Sequence, residues 1–455
     1  MSIATINPAT GDLLKEFKPL SDAEIDKKIG LATQVYARFR IVPASDRAAK
    51  LIRASEILQA EKEDFGRLMS LEMGKLFREA VAEAEKCAWV CRFYAEHGER
   101  FLADEPVETG ASQCCVRFQP LGPVLAVMPW NYPFWQAFRF AAPTLMAGNV
   151  GLLKHASNVP QCALAIEDIF CRAGFPEGAF QTLLVGASKI DGILADPRVV
   201  AATLTGSESA GIEVGISAAK RIKKVVLELG SSDPFIVMPS ADFDRAVETA
   251  VKARVLNNGQ SCIAAKRFIV VDQIFDLFEE RFVQLMEQLK LADPFESGAQ
   301  LGPLATAAGR SGLDADVRKT VEMGARVLTG GKSVDGPGNF YLPTVLTDIP
   351  LGSPGDCAEL FGPVACLFRA RDAAEALRIA NRSPYGLAAS VWTSDPDERE
   401  LFVRDLETGM VFVNQMVISD PRLPFGGVKR SGHGRELGGF HGIREFTNIK
   451  TVSIQ

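Results

Sequence analysis

The chain has 455 residues, 47% of them hydrophobic, and a formal net charge of −6 at pH 7. This length is enough for two or more domains, each with its own core. The 50 basic and 56 acidic residues are spread along the whole chain, so no basic block supports nucleic-acid binding, and no apolar run of about 18 residues supports a membrane span.

The N-terminal stretch "MSIATINPATGDLLKEF" lacks the apolar segment of a secretory signal. The nine cysteines are odd in number and have no framework spacing, which is typical of a reducing compartment. With only four histidines and no cysteine cluster, the sequence predicts no metal site. We therefore expect a soluble, cytoplasmic protein that binds neither membranes nor nucleic acid.

The first half of the chain predicts helices followed by a sheet. A helix is expected from "SDAEIDKK" onward, with Ser21 as N-cap and Glu24 as its capping-box partner, and amphipathic helices continue to about Tyr94. Residues 105–119 are typical of a β-hairpin. Short apolar strands separated by helical stretches follow: "VRFQPLGPVLAVMPW", "NVGLLKH", "FQTLLVG", "VAATLTG" and "KKVVLELG". Buried strands that alternate with helices favour a parallel sheet covered on both faces.

A second series of strands and helices begins after Gly230. Its predicted strands are "DPFIVM", "RFIVV", "ARVLTGG", "VACLFRA", "LAASVWT" and "GMVFVNQ". The sequence therefore predicts two consecutive α/β domains.

Six short motifs occur in a fixed order along these elements: "PWNYPFWQ" (129–136), "LTGSESAG" (204–211), "LELG" (227–230), "NNGQSC" (257–262), "ELFGPV" (359–364) and "PFGGVKRSGHGRELG" (424–438). Each one alone is weak. In this order and spacing they resemble the NAD(P)-dependent aldehyde dehydrogenase superfamily, and the likeness runs from "NPATG" at residues 7–11 to the end of the chain.

The resemblance implies three catalytic residues. Cys262 would add to the aldehyde carbon and form a thiohemiacetal, whose oxyanion the Asn131 amide and the Cys262 backbone N–H would stabilise. Loss of hydride would leave a thioester, and Glu228 would activate the water that hydrolyses it. Without the resemblance, structural interpretations come first: a lone loop cysteine is usually inert, Asn131 could cap a helix, and Glu228 could be an ordinary carboxylate at a strand end.

The resemblance also implies a dinucleotide site without the usual GxGxxG pattern. Gly206 and Gly211 bracket "GSESAG" at a strand–helix junction, where Ser207 and nearby amides can meet a pyrophosphate. Lys154 would contact the adenine ribose and Glu359 the nicotinamide ribose. The remaining residues expected to bind the cofactor are Trp130, Ser157, Leu229 and Phe361.

NADP is expected to be preferred over NAD. In "KHASN" the position three residues after Lys154 is Ser157, where NAD-using members commonly have a glutamate that would repel a 2′-phosphate. The alternative is that Ser157 merely caps the following helix. The sequence departs from the family pattern at three places, with His155 after the strand-end lysine, Leu204, and Ser231 in place of a glycine, and the effect of Ser231 stays open.

The expected fold is of the aldehyde dehydrogenase type, with two Rossmann-like α/β domains and a small β element. The cofactor domain would comprise residues 1–104 and 121–229, and the catalytic domain residues 230–439. Residues 105–120 and 440–455 would form an oligomerisation element in which exposed strand edges pair between subunits, giving a homodimer or homotetramer.

The substrate is expected to be a small aldehyde with a distal carboxylate. If "NYPFWQAFR" is a helix, Asn131, Trp135 and Arg139 lie on one face, so that an arginine stands near the oxyanion donor. Ser261 and Ser419 could add hydroxyl donors. The combination resembles succinate-semialdehyde dehydrogenases, although Arg139 could instead form an internal salt bridge.

Other functions stay open at this point. The substrate could be another small aldehyde, and a CoA-acylating enzyme would keep the cysteine, although it would need no water-activating Glu228. A non-catalytic structural or binding protein on the same fold is the alternative from a different class, against which the intact set of Cys262, Asn131 and Glu228 argues.

Overall fold

The computed structural model describes residues 3–455. Its helices, in chain order, are α1 (Asp22–Phe39), α2 (Ala44–Ala60), α3 (Lys62–Met73), α4 (Phe77–Phe101), α5 (Trp135–Met146), α6 (Pro160–Arg172), α7 (Ile190–Ala195), α8 (Glu208–Ala219), α9 (Phe243–Val255), α10 (Asp272–Glu287), α11 (Ala307–Glu322), α12 (Pro354–Cys357), α13 (Ala373–Asn381), α14 (Pro396–Asp405) and α15 (Phe440–Ile443).

The strands, in chain order, are β1 (Ile3–Ile6), β2 (Leu13–Phe17), β3 (Glu105–Pro106), β4 (Gln113–Pro120), β5 (Pro123–Met128), β6 (Val150–His155), β7 (Phe180–Thr182), β8 (Ala201–Thr205), β9 (Lys224–Glu228), β10 (Pro234–Val237), β11 (Arg267–Val271), β12 (Arg326–Thr329), β13 (Thr344–Thr347), β14 (Val364–Ala370), β15 (Tyr385–Gly386), β16 (Ala388–Trp392), β17 (Met410–Val413), β18 (Pro424–Phe425), β19 (Val428–Lys429), β20 (Gly432–His433), β21 (Glu436–Leu437) and β22 (Thr447–Ile454).

The start of α1 has the predicted capping box. The Ser21 hydroxyl accepts from the Glu24 amide at 3.3 Å, and the Glu24 carboxylate accepts from the Ser21 amide at 2.8 Å. Two amide groups that a helix leaves without partners are satisfied in this way, and the prediction is confirmed.

The first large sheet has six strands in the order β20-β9-β8-β5-β6-β7. The five strands from β5 to β9 pair in parallel, and β6 and β8 are buried along their whole length. The predicted parallel sheet is confirmed in this part. Its edge strand β20 runs antiparallel to β9 and comes from residues 432–433, which the sequence assigned to the second domain.

The second large sheet has seven strands in the order β12-β13-β14-β11-β10-β16-β17. All neighbours are parallel except β12 and β13, and β13 was not predicted. Alternate residues of β10 enter different cores, because Ile236 packs into the cluster on one face while Phe235 and Val237 pack into the cluster on the other. All residues of this strand are apolar because both faces of the sheet are covered.

A third sheet joins residues that are far apart in sequence. Strand β22 pairs antiparallel with β4 from Thr447↔Pro120 to Ile454↔Gln113, and β3 completes the order β22-β4-β3. The hairpin predicted at residues 105–119 therefore exists and recruits the C-terminal strand. Among residues 3–455 no helix combines the length and apolarity that crossing a bilayer requires.

Candidate active site

The loop that carries Cys262 has an unusual backbone. Asn257, Asn258 and Gly259 follow one another with φ angles of 55°, 58° and 74°. Three successive left-handed residues are costly for most side chains, and asparagine and glycine tolerate this conformation best. A Cβ on Gly259 would lie 2.3 Å from the carbonyl of Gly362. The left-handed conformation of this loop therefore favours the sequence Asn-Asn-Gly at these three positions.

The loop is held by side-chain hydrogen bonds to backbone groups from elsewhere in the chain. The Asn258 amide donates to the Gly74 carbonyl at 2.8 Å and to the Pro303 carbonyl at 3.1 Å, and its oxygen accepts from Gly302 N at 2.8 Å. The Gln260 oxygen accepts from a further amide at 2.9 Å. Such bonds offset the cost of the left-handed residues and fix the nucleophile loop before any substrate arrives.

Lys266 contacts the backbone of the loop that carries the nucleophile. Its Nζ donates to the carbonyls of Ser261 at 2.8 Å and Cys262 at 2.6 Å, and lies 3.3 Å from a carboxylate oxygen of Glu359. Burial raises the pKa of the Cys262 thiol to about 12, and the Lys266 charge opposes this rise. Lys266 is not among the residues predicted from the sequence, although a lysine four residues after the nucleophile in an apolar stretch is a signal for it.

Asn131 does not lie on the predicted helix. Helix α5 begins at Trp135, and Asn131 lies in the turn before it. The prediction was wrong because Pro133 disfavours helical backbone at the residue before it. The carboxylate of Glu83 accepts from the amides of both Phe134 and Trp135 at 2.9 Å, so the N-terminal amides of α5 are satisfied by a residue of α4.

The Asn131 side chain nevertheless lies against the nucleophile loop. Its Nδ2 donates to the Gln260 carbonyl at 3.1 Å, while the Asn257 amide donates to the Asn131 carbonyl at 2.8 Å. The turn and the loop are thus tied to each other on both sides. Asn131 was predicted from the sequence, whereas the roles of Asn257 and Gln260 were not, because they depend on contacts between distant segments.

Glu228 ends strand β9 and is 2% exposed. Neither of its carboxylate oxygens has a hydrogen-bond partner among the described residues. Burial raises its pKa well above the usual range, the neighbouring Glu436 raises it further, and Arg139 opposes the shift. A buried carboxyl group without a partner and with a raised pKa is suited to exchange protons with a reactant.

Two cavities meet at Cys262. One, of about 290 Å³, contains all three expected catalytic residues, and the shared lining of both cavities is Cys262 and Gln136. The expected cofactor residues that line the first cavity are Trp130, Gly206, Ser207, Leu229, Glu359 and Phe361. We call this space the cofactor cleft.

Two glycines at and beside the cofactor cleft leave room for neighbouring side chains. A Cβ on Gly230 would lie 2.4 Å from a Glu359 oxygen, and a Cβ on Gly211 would lie 2.5 Å from a methyl of Leu229. Gly211 thus lets α8 pack on the end of the strand and does not itself line the cleft. Ser207 is the N-cap of α8, and its hydroxyl accepts from an amide of the first turn.

Ser231 does not narrow the cofactor cleft. Its hydroxyl donates to the buried Asp233, and its amide donates to Glu359 at 3.0 Å. Its φ is not positive, so the backbone there does not require glycine. The Ser231 side chain is therefore directed toward Asp233, and the serine fits here in place of the glycine of the family pattern.

Lys154 and Ser157 lie outside the lining of the cofactor cleft, at and after the end of β6. Lys154 is 8% exposed, and burial lowers its pKa. Ser157 does not cap the next helix, since Val159 is the N-cap of α6 and no side chain caps it. The neighbouring His155 bonds the Pro133 carbonyl through Nε2 at 2.8 Å, and burial lowers its pKa to about 4.

The second cavity, which we call the substrate cavity, has a volume of about 240 Å³. The expected substrate residues Trp135, Arg139, Ser261 and Ser419 all line it. The Ser419 hydroxyl is buried and has no hydrogen-bond partner among residues 3–455. It is therefore a donor available to a ligand.

Arg139 forms the internal salt bridge that the sequence analysis had weighed against substrate binding. It is 3% exposed, and its Nε pairs with the buried carboxylate of Glu436. It also donates to the Thr205 hydroxyl at 3.2 Å and lies 4.4 Å from the centre of the Phe425 ring. The distance in sequence between residues 139 and 436 is why no local pattern revealed this pair.

The chain is similar to known proteins along nearly its whole length. A model of the aldehyde dehydrogenase family matches residues 1–452. A probable succinate-semialdehyde dehydrogenase (NADP(+)) of Synechocystis sp. is 54% identical over 454 residues, with all of both chains covered. Succinate-semialdehyde dehydrogenase (NADP(+)) 1 of Mycobacterium tuberculosis is 55% identical over 457 residues, again with complete coverage.

Among solved structures, succinic semialdehyde dehydrogenase from Streptococcus pyogenes in complex with NADP+ superposes with a TM-score of 0.97. It is 34% identical in sequence, and 99% of each chain is covered.

Proposed function

The chain belongs to the aldehyde dehydrogenase family, and on that premise we propose that it oxidises succinate semialdehyde to succinate with NADP as cofactor. The observation that carries the proposal is the position of Cys262 between a cofactor cleft and a separate substrate cavity. A nucleophile in that position can hold the aldehyde carbon facing the cleft. The substrate and cofactor named for the two close relatives support the choice of both molecules.

The residues of the cleft fit a dinucleotide. The free N-terminal amides of α8, which has 12 residues, suit a pyrophosphate, and Glu359 is held by Ser231 N at the far side of the cleft, where it can accept from ribose hydroxyls. Trp130 and Phe361 pack edge to face at 5.7 Å and form an apolar wall. When bound, NADP supplies the nicotinamide ring that accepts hydride.

Cys262 forms the bond to the aldehyde carbon. The thiol must first lose its proton to a base, and because burial raises its pKa to about 12 the thiolate is the minor form. The oxyanion that develops on attack is proposed to accept from the Asn131 amide and the Cys262 backbone N–H. The bonds from Asn131 to Gln260 and from Asn257 to Asn131 fix this donor in advance, which is the main energetic requirement of such a site.

Glu228 is proposed to act in the second half of the reaction. As a carboxylate it accepts a proton from the water that attacks the thioester of Cys262, and the product acid leaves. Because its oxygens have no other partner among the described residues, nothing in the fold competes with that water for them. Its raised pKa makes the ionised fraction grow as the pH rises.

The preference for NADP is proposed to come from Lys154 and Ser157. Lys154 is a largely buried cation at the strand end with no salt bridge among residues 3–455, which suits a phosphate. Ser157 is small and neutral, does not cap α6, and can donate a hydrogen bond. No carboxylate at this position repels a 2′-phosphate.

The domain organisation and assembly are part of the same proposal. Residues 1–104 and 121–229 would form the cofactor domain and residues 230–439 the catalytic domain, with β20 crossing to the first sheet. Strands β4 and β22 leave an exposed sheet that is proposed to pair in a homodimer or homotetramer. All nine cysteines are free, which supports a cytoplasmic location.

The test is steady-state kinetics with succinate semialdehyde and with butanal, a neutral aldehyde of the same chain length, each with NADP and NAD. We expect the highest kcat/KM for succinate semialdehyde with NADP, and succinate as the product by NMR. A higher kcat/KM for butanal, or for NAD, would contradict the proposal.

A further inference from the structure

We propose that Lys86 binds the carboxylate of the substrate and thereby sets the preference for a charged aldehyde. This inference rests on the proposed function and names a residue for it that the sequence motifs do not contain. Lys86 lies on α4, and one face of that helix, formed by Glu79, Ala82, Glu83 and Lys86, lines the substrate cavity together with Cys262. Residues spaced three and four apart on a helix share a face.

Lys86 is a cation of this cavity with which no carboxylate of the described residues pairs. Among residues 3–455 its ammonium takes part in no salt bridge, whereas Arg139 pairs with Glu436. Glu83 pairs with Lys75 and also accepts two backbone amides. An ion pair has no net charge, so Arg139 with its partner attracts a substrate carboxylate far less than a free ammonium does.

The surroundings of Lys86 are arranged for a ligand with an apolar middle and a charged end. The ammonium lies 4.3 Å from the centre of the Trp135 ring, which fixes its direction. Much of the remaining lining of the cavity is apolar, formed by Leu256, Ile263, Met416, Val417, Ile418 and Phe425. The two methylene groups of succinate semialdehyde suit such a wall.

The cost of keeping Lys86 partly buried supports the same conclusion. Burial lowers its pKa to about 8, and the charge of Arg139 lowers it as well. Three groups oppose this decrease in the pKa of Lys86: Cys87 and Glu83 on α4 itself, and Asp420 from the loop before β18. Asp420 is occupied by Arg422 at 2.6 Å, so it does not neutralise the lysine.

Glu79 is the remaining acidic group of the cavity. Burial raises its pKa, which favours the neutral form and reduces its competition for the ammonium. A carboxylate from the substrate would therefore be the strongest partner available to Lys86. The serine hydroxyl of Ser419, which has no partner, lines the same cavity and can donate to the same carboxylate.

The experiment compares Lys86→Met with wild type on succinate semialdehyde and butanal. Methionine keeps the unbranched stem and removes the charge. We expect KM for succinate semialdehyde to rise by about ten- to a hundred-fold, the range for loss of a charge-assisted hydrogen bond, with little change in kcat. KM for butanal should stay within about twofold, and Lys86→Arg should restore most of the affinity.

The matched control is Lys252→Met, which removes one positive charge from an exposed site in the neighbouring cavity. If Lys86→Met changes KM for both aldehydes equally, or behaves as Lys252→Met does, the inference is wrong. The proposed function fails separately, if wild type itself shows no preference for succinate semialdehyde over butanal.

A second measurement needs no variant. The ratio of kcat/KM for succinate semialdehyde to that for butanal cancels the ionisation of Cys262 and Glu228, which both substrates share. With the pKa of Lys86 near 8, we expect this ratio to fall as the pH rises above about 8, because the ammonium loses its charge. A ratio that is flat from pH 7 to 10 would overturn the inference.

Discussion

The two cavities that meet at Cys262 are built by different means. The cofactor cleft depends on backbone at two places, since Gly230 leaves room for the Glu359 side chain, with a Cβ there lying 2.4 Å from its carboxylate oxygen, and the N-terminal amides of α8 suit an anion. The substrate cavity is shaped by side chains, with an apolar wall and charged groups from α4 and α5. Groups of the backbone recognise features that all dinucleotides share. Side chains that line the substrate cavity set which aldehyde binds, so a single substitution there can change the substrate preference. The comparison predicts that substitutions in the two cavities will have separable effects.

The largest effect on turnover is expected from a substitution of Cys262, which lines both cavities. Cys262→Ala should lower kcat by roughly 10⁴-fold or more, as removal of a catalytic nucleophile does, because no thioester can form. Since this substitution leaves the other residues that line the cofactor cleft unchanged, NADP should still bind, which fluorescence titration would measure. Normal turnover in this variant would exclude the proposed reaction, and loss of NADP binding would mean that the two cavities are not separable.

Glu228→Gln should lower kcat by about 10²–10⁴-fold, the usual contribution of a general base, and a thioester on Cys262 should accumulate in mass spectra. In wild type the carboxyl group has a raised pKa because it is buried, so it is neutral at low pH and its ionised fraction, which acts as the base, grows as the pH increases. We therefore expect wild-type kcat to rise with pH through that pKa and the glutamine variant to lack the rise. A pH-independent kcat in wild type would contradict this role.

Ser157→Glu tests the position after β6, which lies outside the lining of the cofactor cleft and is proposed to face the 2′-phosphate. The new carboxylate should repel the 2′-phosphate and shift the ratio of kcat/KM for NADP to that for NAD by about tenfold, equivalent to about 1.4 kcal/mol. The ratio between aldehydes should not change. Ser188→Glu, at an exposed serine in the 3-10 turn Ala187–Lys189, adds the same charge elsewhere and is the control. An unchanged cofactor ratio would show that Ser157 does not face the phosphate.

The smallest effect on turnover is expected from Arg139→Met. Loss of the arginine removes a charge that lowers the pKa of Glu228 and leaves Glu436, which raises it, without its partner. The rise of kcat with pH should therefore move to higher pH, with similar changes for charged and neutral aldehydes. If instead only KM for succinate semialdehyde increases, Arg139 binds the carboxylate and the assignment of that role to Lys86 is weakened.

Local patterns were sufficient for much of the architecture. The capping box at Ser21 and most buried strands of the two large sheets depend on neighbours a few residues apart, so the sequence predicts them, with the buried strand β13 as an exception. The helix expected from Asn131 failed at its first turn, where Pro133 and the carboxylate of Glu83 place the start at Trp135. A short-range rule could have identified the proline, but the contribution of Glu83 comes from another helix.

The sequence by itself determined the family, the order of the motifs and the chemical types at the reacting centre, because these are properties of residues and spacings. Tertiary structure decided which charges are free. Arg139 and Glu436 are 297 positions apart, and Lys86 shares a cavity with Cys262 although 176 positions separate them. Whether a buried cation is neutralised inside the protein or kept for a ligand depends on which distant carboxylate the fold brings to it, and no local pattern contains that information.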